Sequence, residues 1–144
     1  MITVLITFLL MEGVAWSMHK YVMHGFMWKY HEDHHKTNLK SGFFEKNDVF
    51  FIFFSILSMA SFAVYIFLNY SFFMHVGIGI SIYGATYFFI HDLFIHQRIK
   101  ILRNTKNKYL LGIRRAHKIH HKHLGKEDGE CFGMLLVPFK YFKA

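Results

Sequence analysis

Ten of the twelve histidines in this chain fall into four short groups whose spacings repeat in order. His19 and His24 stand five apart and are followed by His31 with His34 and His35; then His91 and His96 stand five apart, followed by His117 with His120 and His121. The groups occupy 22 of 144 positions, so chance placement is a poor account and a shared task for imidazole is a better one. That density points to metal coordination. On a helix turning ~100° per residue, His31, His34 and His35 fall within an arc of about 100° and are expected to converge on one point, as are His117, His120 and His121. The five-residue spacing differs, placing two rings ~140° apart around the axis and ~7.5 Å apart along it. Such a pair flanks a site or needs a distorted helix. Gly25, next to His24, makes distortion cheap there, and nothing comparable follows His96.

Ten imidazoles are too many for one structural zinc ion, which takes about four ligands and favours thiolates. They are enough for two ions. Cys131 is the single cysteine, which excludes an internal disulfide and a cysteine-held iron–sulfur cluster. Soluble di-iron proteins rely on bridging glutamates and Glu-x-x-His pairs, whereas the acids near this pattern are Glu32, Asp33 and Asp92. Glu32 and Asp33 lie ~100° and ~200° from His31 on a helix, off the ligand face, and are expected to be solvated. Asp92 directly follows His91 and is a candidate for orienting an imidazole from behind. An ordinary helix-end charge is the alternative.

The elements that must position these groups are apolar. Hydrophobic residues make up 53% of the chain, with eighteen Phe and one Pro, as in a single membrane-embedded unit over 1–144. Three runs, from Ile2 to about Met23, Val49 to about Leu68 and Phe72 to about Ile95, are each long enough to cross the ~30 Å hydrocarbon core. The first lacks a basic leader and continues into His19 and His24, so it reads as a span and not as a cleaved signal. Asn69-Tyr70-Ser71 is a tight connection, making the second and third runs a hairpin that returns the chain to the face of the first histidines. The expected fold is thus an all-α integral membrane protein of about three transmembrane helices with a histidine-rich helical cap.

All seventeen Lys and Arg residues lie in 20–46 or 98–143, which places the histidine face in the cytoplasm by the positive-inside rule. The basic balance reflects topology and attraction to anionic lipid headgroups, with an acidic redox partner as a lesser addition; the spans argue against nucleic acid. A helix is expected from Tyr109 to His123, with Leu110, Leu111, Ile113 and Ile119 on its apolar side. The apolar run ending at Pro138 is too short to span. It is expected to fold back under the histidine face, or to form a fourth re-entrant or interfacial segment.

Glu12, halfway along the first span, is a functional candidate because an ionisable group is expensive in lipid. Seven residues before His19, it shares that residue's helix face, and a contact inside the bundle beneath the metals is expected; a helix-to-helix hydrogen bond without a catalytic role is the alternative. Gly77, Ser81 and Ala85 form a small-residue face for close packing. His75 and His123, outside the pattern, read as surface residues.

This histidine pattern resembles that of the membrane fatty acid hydroxylase and sterol desaturase superfamily. Within it, the short chain, the order of the spacings, the segment His91-Asp-Leu-Phe-Ile-His-Gln-Arg98 and the segment Ala116-His-Lys-Ile-His-His121 are similar to the bacterial β-carotene 3-hydroxylase family. The similarity covers roughly 12 to 138. It implies that His19, His24, His31, His34, His35, His91, His96, His117, His120 and His121 ligate or closely neighbour two iron ions. It also implies O2-dependent hydroxylation at C3 of β-ionone rings, from β-carotene through β-cryptoxanthin to zeaxanthin, in the bacterial cytoplasmic membrane. No dinucleotide fingerprint or cysteine cluster is present, so electrons are expected from an external donor such as ferredoxin with its NAD(P)H reductase. Glu130-Cys-Phe-Gly133 is similar to the family's region after the last motif, without an assigned role. Trp16, Phe26, Trp28 and Tyr87 suggest only a generic aromatic lining for the substrate pocket.

Two other readings carry distinct expectations. A relative acting on an acyl lipid or sterol shares every ligand. A divalent-metal carrier needs ligands deep inside the spans, whereas nine of the ten histidines here sit at or beyond span ends.

Overall fold

The computed structural model describes residues 1–36 and 42–143. Helix α1 (Ile2–Ser17) continues without a break into a π-helical segment, Met18–Phe26. Helix α2 (Trp28–His35) follows, then α3 (Asp48–Leu68) and α4 (Ser71–Tyr87). Helix α4 in turn runs into a second π-helical segment, Phe88–Ile95. Helix α5 (Lys108–His120) and a short 3-10 turn (Phe139–Phe142) complete the described chain. Among the described residues, three helical stretches are long and apolar enough to cross a membrane: Ile2–Phe26, Asp48–Leu68 and Ser71–Ile95. The C-terminal apolar run forms no fourth span among the described residues.

Helix α4 is the central member, with α1 and α3 packed against it. The hairpin turns at Asn69, whose left-handed φ of 56° ends α3. Close packing comes from small residues aimed at both neighbours. A Cβ on Gly77 would stand 2.8 Å from the Phe62 ring of α3, and one on Gly79 would stand 2.6 Å from Thr7 Cβ of α1. Ser58 Oγ, on α3, lies 2.9 Å from the Gly77 carbonyl oxygen and 2.8 Å from Ser81 Oγ. Of the expected small-residue face, Gly77 and Ser81 meet α3 while Ala85 is exposed; the contacts serve helix association, which in lipid depends on close backbone approach and interhelical hydrogen bonds.

The buried core lies beside the histidines. Met11, Tyr83, Ile90, Phe94, Ile95, Ile113 and Met134 form it, drawn from α1, α4, the second π segment, α5 and the C-terminal run. Met134 brings that run back onto the bundle, in line with the expected fold-back. Glu12 secures it: its Oε1 accepts hydrogen bonds from the backbone N–H groups of Met134, Leu135 and Leu136 at 3.0, 2.8 and 2.9 Å, and its Oε2 accepts one from the Tyr83 hydroxyl at 2.7 Å.

Candidate metal centre

The five-residue histidine spacing finds its explanation in the two π segments. A π turn links residue i to i+5, so His91 and His96 sit one above the other, joined by the His96 N–H donating to the His91 carbonyl at 2.9 Å. His19 and His24 lie within the first π segment, where Gly25, at φ −103° and ψ −124°, leaves helical conformation and redirects the chain into α2. After His96, where no glycine stands, the chain still leaves helical conformation. Gln97 adopts φ 55°, and its side-chain amide donates to the carbonyls of Phe94 and Ile101 at 2.7 and 2.9 Å.

The ten histidines sort into two groups, but not by motif. In one, the donor atoms of His19, His24, His31, His35 and His120 all lie within 4.8 Å of one another. In the other, those of His34, His96, His117 and His121 do, and His91 joins with its Nε2 3.1 Å from His34 Nε2. The expected convergence of His31, His34 and His35 on one point is therefore wrong, as is that of His117, His120 and His121. Adjacent helical residues point ~100° apart, so His34 and His35 serve different groups, and His120 and His121 do likewise. Each His-His doublet straddles the two groups, and the His35 and His121 rings stack at 4.3 Å between them.

Hydrogen bonds at Nδ1 fix the direction of the rings. His19, His24, His35 and His120 donate to the carbonyl oxygens of Phe132, Lys126, His123 and Glu130 at 3.0, 3.1, 3.0 and 2.9 Å. His31 donates to Asn47 Oδ1 and His34 to Glu45 Oε2, both at 2.7 Å. An oxygen acceptor at Nδ1 places the proton there and leaves Nε2 with a bare lone pair. These bare nitrogens face each other: His19 to His31 at 3.1 Å, His24 to His120 at 3.2 Å, and His35 to His31 at 3.2 Å. Two lone pairs cannot hydrogen-bond. Two nitrogens bound at right angles to one ion, each ~2.1 Å from it, stand ~3.0 Å apart, so the arrangement fits a bound cation. All-imidazole donors suit iron, zinc, copper or nickel.

Burial keeps these rings neutral, the form that binds metal. Desolvation first, then neighbouring imidazoles, hold His34 and His117 well below the usual histidine value. Desolvation does the same for His31, against the Asn47 hydrogen bond. Burial likewise lowers His35 to about 4 and His120 to about 3, and lowers His121.

Several site residues carry no signal in the histidine pattern. Glu45 and Asn47 precede α3, and a polar cluster abutting an uncharged span on the histidine face is the one hint of them. Arg98 joins them, with Nη2 2.6 Å from Asp48 Oδ1 and 3.6 Å from Glu45 Oε2, and with Nε 2.9 Å from Asp92 Oδ1 but off the line of its N–H. Asp92 places its Oδ2 3.5 Å from His91 Nδ1, which has no hydrogen-bond partner among the described residues. Asp33 is buried instead of solvated, its Oδ2 accepting from the Lys46 backbone N–H at 2.7 Å. Glu32 pairs with Lys36 at 2.6 Å. Glu12 makes its bundle contact through the C-terminal run and Tyr83. Glu130-Cys-Phe-Gly133 gains a role: two of its carbonyls hold histidines, and the Phe132 ring packs on His19, His24 and His120. His75 and His123 belong to neither group.

A mainly apolar pocket, partly open to its surroundings, reaches the histidines between α1, α3 and α4. Met11, Ala15, Phe51, Phe54, Ile80 and Gly84 are among its walls, as are His19 of one group and His91 and His117 of the other. Of the four aromatics suggested for a pocket, Tyr87 lines it and stacks on His91 at 4.6 Å. Trp28 packs instead on His24, His31 and His35. Phe26 is 81% exposed and Trp16 37%, so neither contributes.

Residues 4–141 match the family model described as fatty acid hydroxylase. A protein from Pseudescherichia vulneris named β-carotene hydroxylase is 35% identical over 132 residues, which cover 92% of this chain and 73% of that one. One of the same name from Pantoea ananas is 36% identical over 138 residues, covering 94% and 75%. A chloroplastic protein from Arabidopsis thaliana named β-carotene 3-hydroxylase 1 is 33% identical over 148 aligned positions, covering 92% of this chain and 44% of its own. No solved structure matches.

Proposed function

The chain belongs to the fatty acid hydroxylase family, and from that premise we propose that it hydroxylates C3 of the β-ionone rings of β-carotene, giving β-cryptoxanthin and then zeaxanthin. Two iron ions are held, one by His19, His24, His31, His35 and His120 and the other by His34, His91, His96, His117 and His121. The whole of 1–144 acts as a single membrane-embedded unit, with its histidine face in the cytoplasm.

The observation that carries this reading is the pocket, which is mainly apolar and lined by histidines of both groups. Its lining of Met, Phe, Ile and Ala side chains matches a hydrocarbon ring, as small-molecule sites are lined mostly by apolar groups with a few polar ones. Met11, Phe54 and Ile80 bind that ring by burial, and the wall of His19, His91 and His117 sets which C–H bond lies nearest the metals. Phe132 and Tyr87, packed against His19 and His91, keep water from the histidine wall. When bound, the iron pair supplies the activation of O2, one oxygen atom entering the C–H bond and the other leaving as water. Two electrons and two protons are needed per turnover. The electrons come from a soluble donor such as ferredoxin with its NAD(P)H reductase, and the basic surface of 98–126 favours an acidic partner.

Expression of the chain in a bacterium that accumulates β-carotene, with extraction of the pigments, tests the reading. Zeaxanthin and β-cryptoxanthin are the expected products. Unchanged β-carotene beside hydroxylated acyl lipid or sterol, with iron-loaded protein in the membrane, would move the substrate to the other branch of the family.

A further inference from the structure

Each histidine group offers five imidazoles, so the number of donors does not distinguish them. What stands behind the imidazoles does. In the group of His19, His24, His31, His35 and His120, every Nδ1 partner is a neutral oxygen: four backbone carbonyls and the Asn47 amide. In the other group His34 donates to the Glu45 carboxylate at 2.7 Å, and the Asp92 carboxylate lies 3.5 Å from His91 Nδ1. Arg98 pairs with Glu45, Asp92 and Asp48, so one guanidinium gathers three carboxylates beside that group. The Glu45 side chain is 4% exposed and that of Asp92 9%, so water screens neither strongly.

We infer that the two metal positions are unequal: Glu45 and Asp92, held by Arg98, make the group of His34, His91, His96, His117 and His121 the tighter cation site. A carboxylate behind an imidazole raises its basicity as a ligand, and partners of this kind are worth roughly 10–100-fold in metal affinity. Low dielectric around the buried pair strengthens the effect. Arg98 is a positioning residue here, since it pairs with Glu45 and Asp92 and acts on the imidazoles through them. The inference rests on the two-ion reading above.

Two near-isosteric exchanges test it in the full-length protein, purified in detergent and titrated anaerobically with ferrous iron against a chelator. Glu45→Gln keeps an oxygen acceptor for the His34 N–H and removes the charge; Asn47→Asp keeps an acceptor for His31 and adds one. The parent is expected to bind two ions of different affinity and to give two distinct Mössbauer doublets. Glu45→Gln is expected to weaken the tighter ion by roughly 10–100-fold, leave the other unmoved and shift one doublet. Asn47→Asp is expected to tighten the weaker ion by a similar factor. A merely structural role for Glu45 predicts no change in affinity with glutamine in place. If Glu45→Gln does not fold, Asn47→Asp decides alone: an unchanged weaker ion overturns the inference. Two ions of equal affinity and identical spectra in the parent, or a Glu45→Gln protein weakened equally at both, overturn it while leaving the two-ion reading in place. A parent that binds fewer than two ions overturns both.

Discussion

Nε2 of His24 and Nε2 of His120 lie 3.2 Å apart, although the residues are 96 positions apart in the chain. Neither ring has a proton to offer the other there, because each donates from Nδ1 to a backbone carbonyl, that of Lys126 or that of Glu130. The first and last histidine motifs are thus joined by opposed lone pairs, and a shared cation relieves that opposition.

His120→Ala removes one of five donors from the group that includes His24 and leaves the other group intact. The variant is expected to retain about half of the parent's iron and to lose at least ~100-fold in hydroxylation, beyond the 10–100-fold typical of partners outside the ligand shell. Iron per chain and product per hour in membranes check this. Full iron retention would remove His120 from the ligand set.

Glu12 accepts four hydrogen bonds and ties the C-terminal run to α1 and α4. Hydrogen bonds to a charged group contribute about 1.5–3 kcal/mol each, and neutral ones about half that. Glu12→Gln is expected to keep iron, lower the melting temperature in detergent and lose part of the activity, because Gly133 and Met134 line the cavity. Unchanged melting and turnover would show that the carboxylate anchors nothing.

Acid is expected to destabilise the metal-free protein in a defined window. His35 and His120 are lowered to about 4 and about 3 when folded, against about 6.5 when exposed. Between these values the unfolded chain binds protons that the folded chain refuses, so stability is full above pH ~6.5 and falls as pH drops through 4 towards about 3. Melting temperature against pH measures it. Bound iron, which holds the imidazoles neutral, is expected to move the fall to lower pH.

The spans, the hairpin and the ten histidines are legible in the sequence because each is a local pattern of hydropathy or spacing. Allocation of the histidines to two groups is not, because it depends on where α2 and α5 lie relative to both π segments. A regular helix for His91 and His96 separates rings that the π turn superimposes, and no local propensity in Phe88–Ile95 announces that turn. The oxygens behind the histidines are harder still to read. Lys126 and His123 contribute through their backbone carbonyls, which leave no side-chain signature, and the burial of Asp33 follows from the return of Lys46 onto α2.

The central claim is O2-dependent hydroxylation of a carotenoid ring at the histidine site. Iron-loaded protein in lipid nanodiscs, given β-carotene, ferredoxin with its reductase and NAD(P)H under heavy-isotope O2, tests it by mass spectrometry of the pigment. The account predicts zeaxanthin carrying one heavy oxygen in each ring hydroxyl, at C3, and no product under nitrogen. Hydroxyl oxygen drawn from water, or β-carotene recovered unchanged while the iron is reduced and reoxidised, would contradict it.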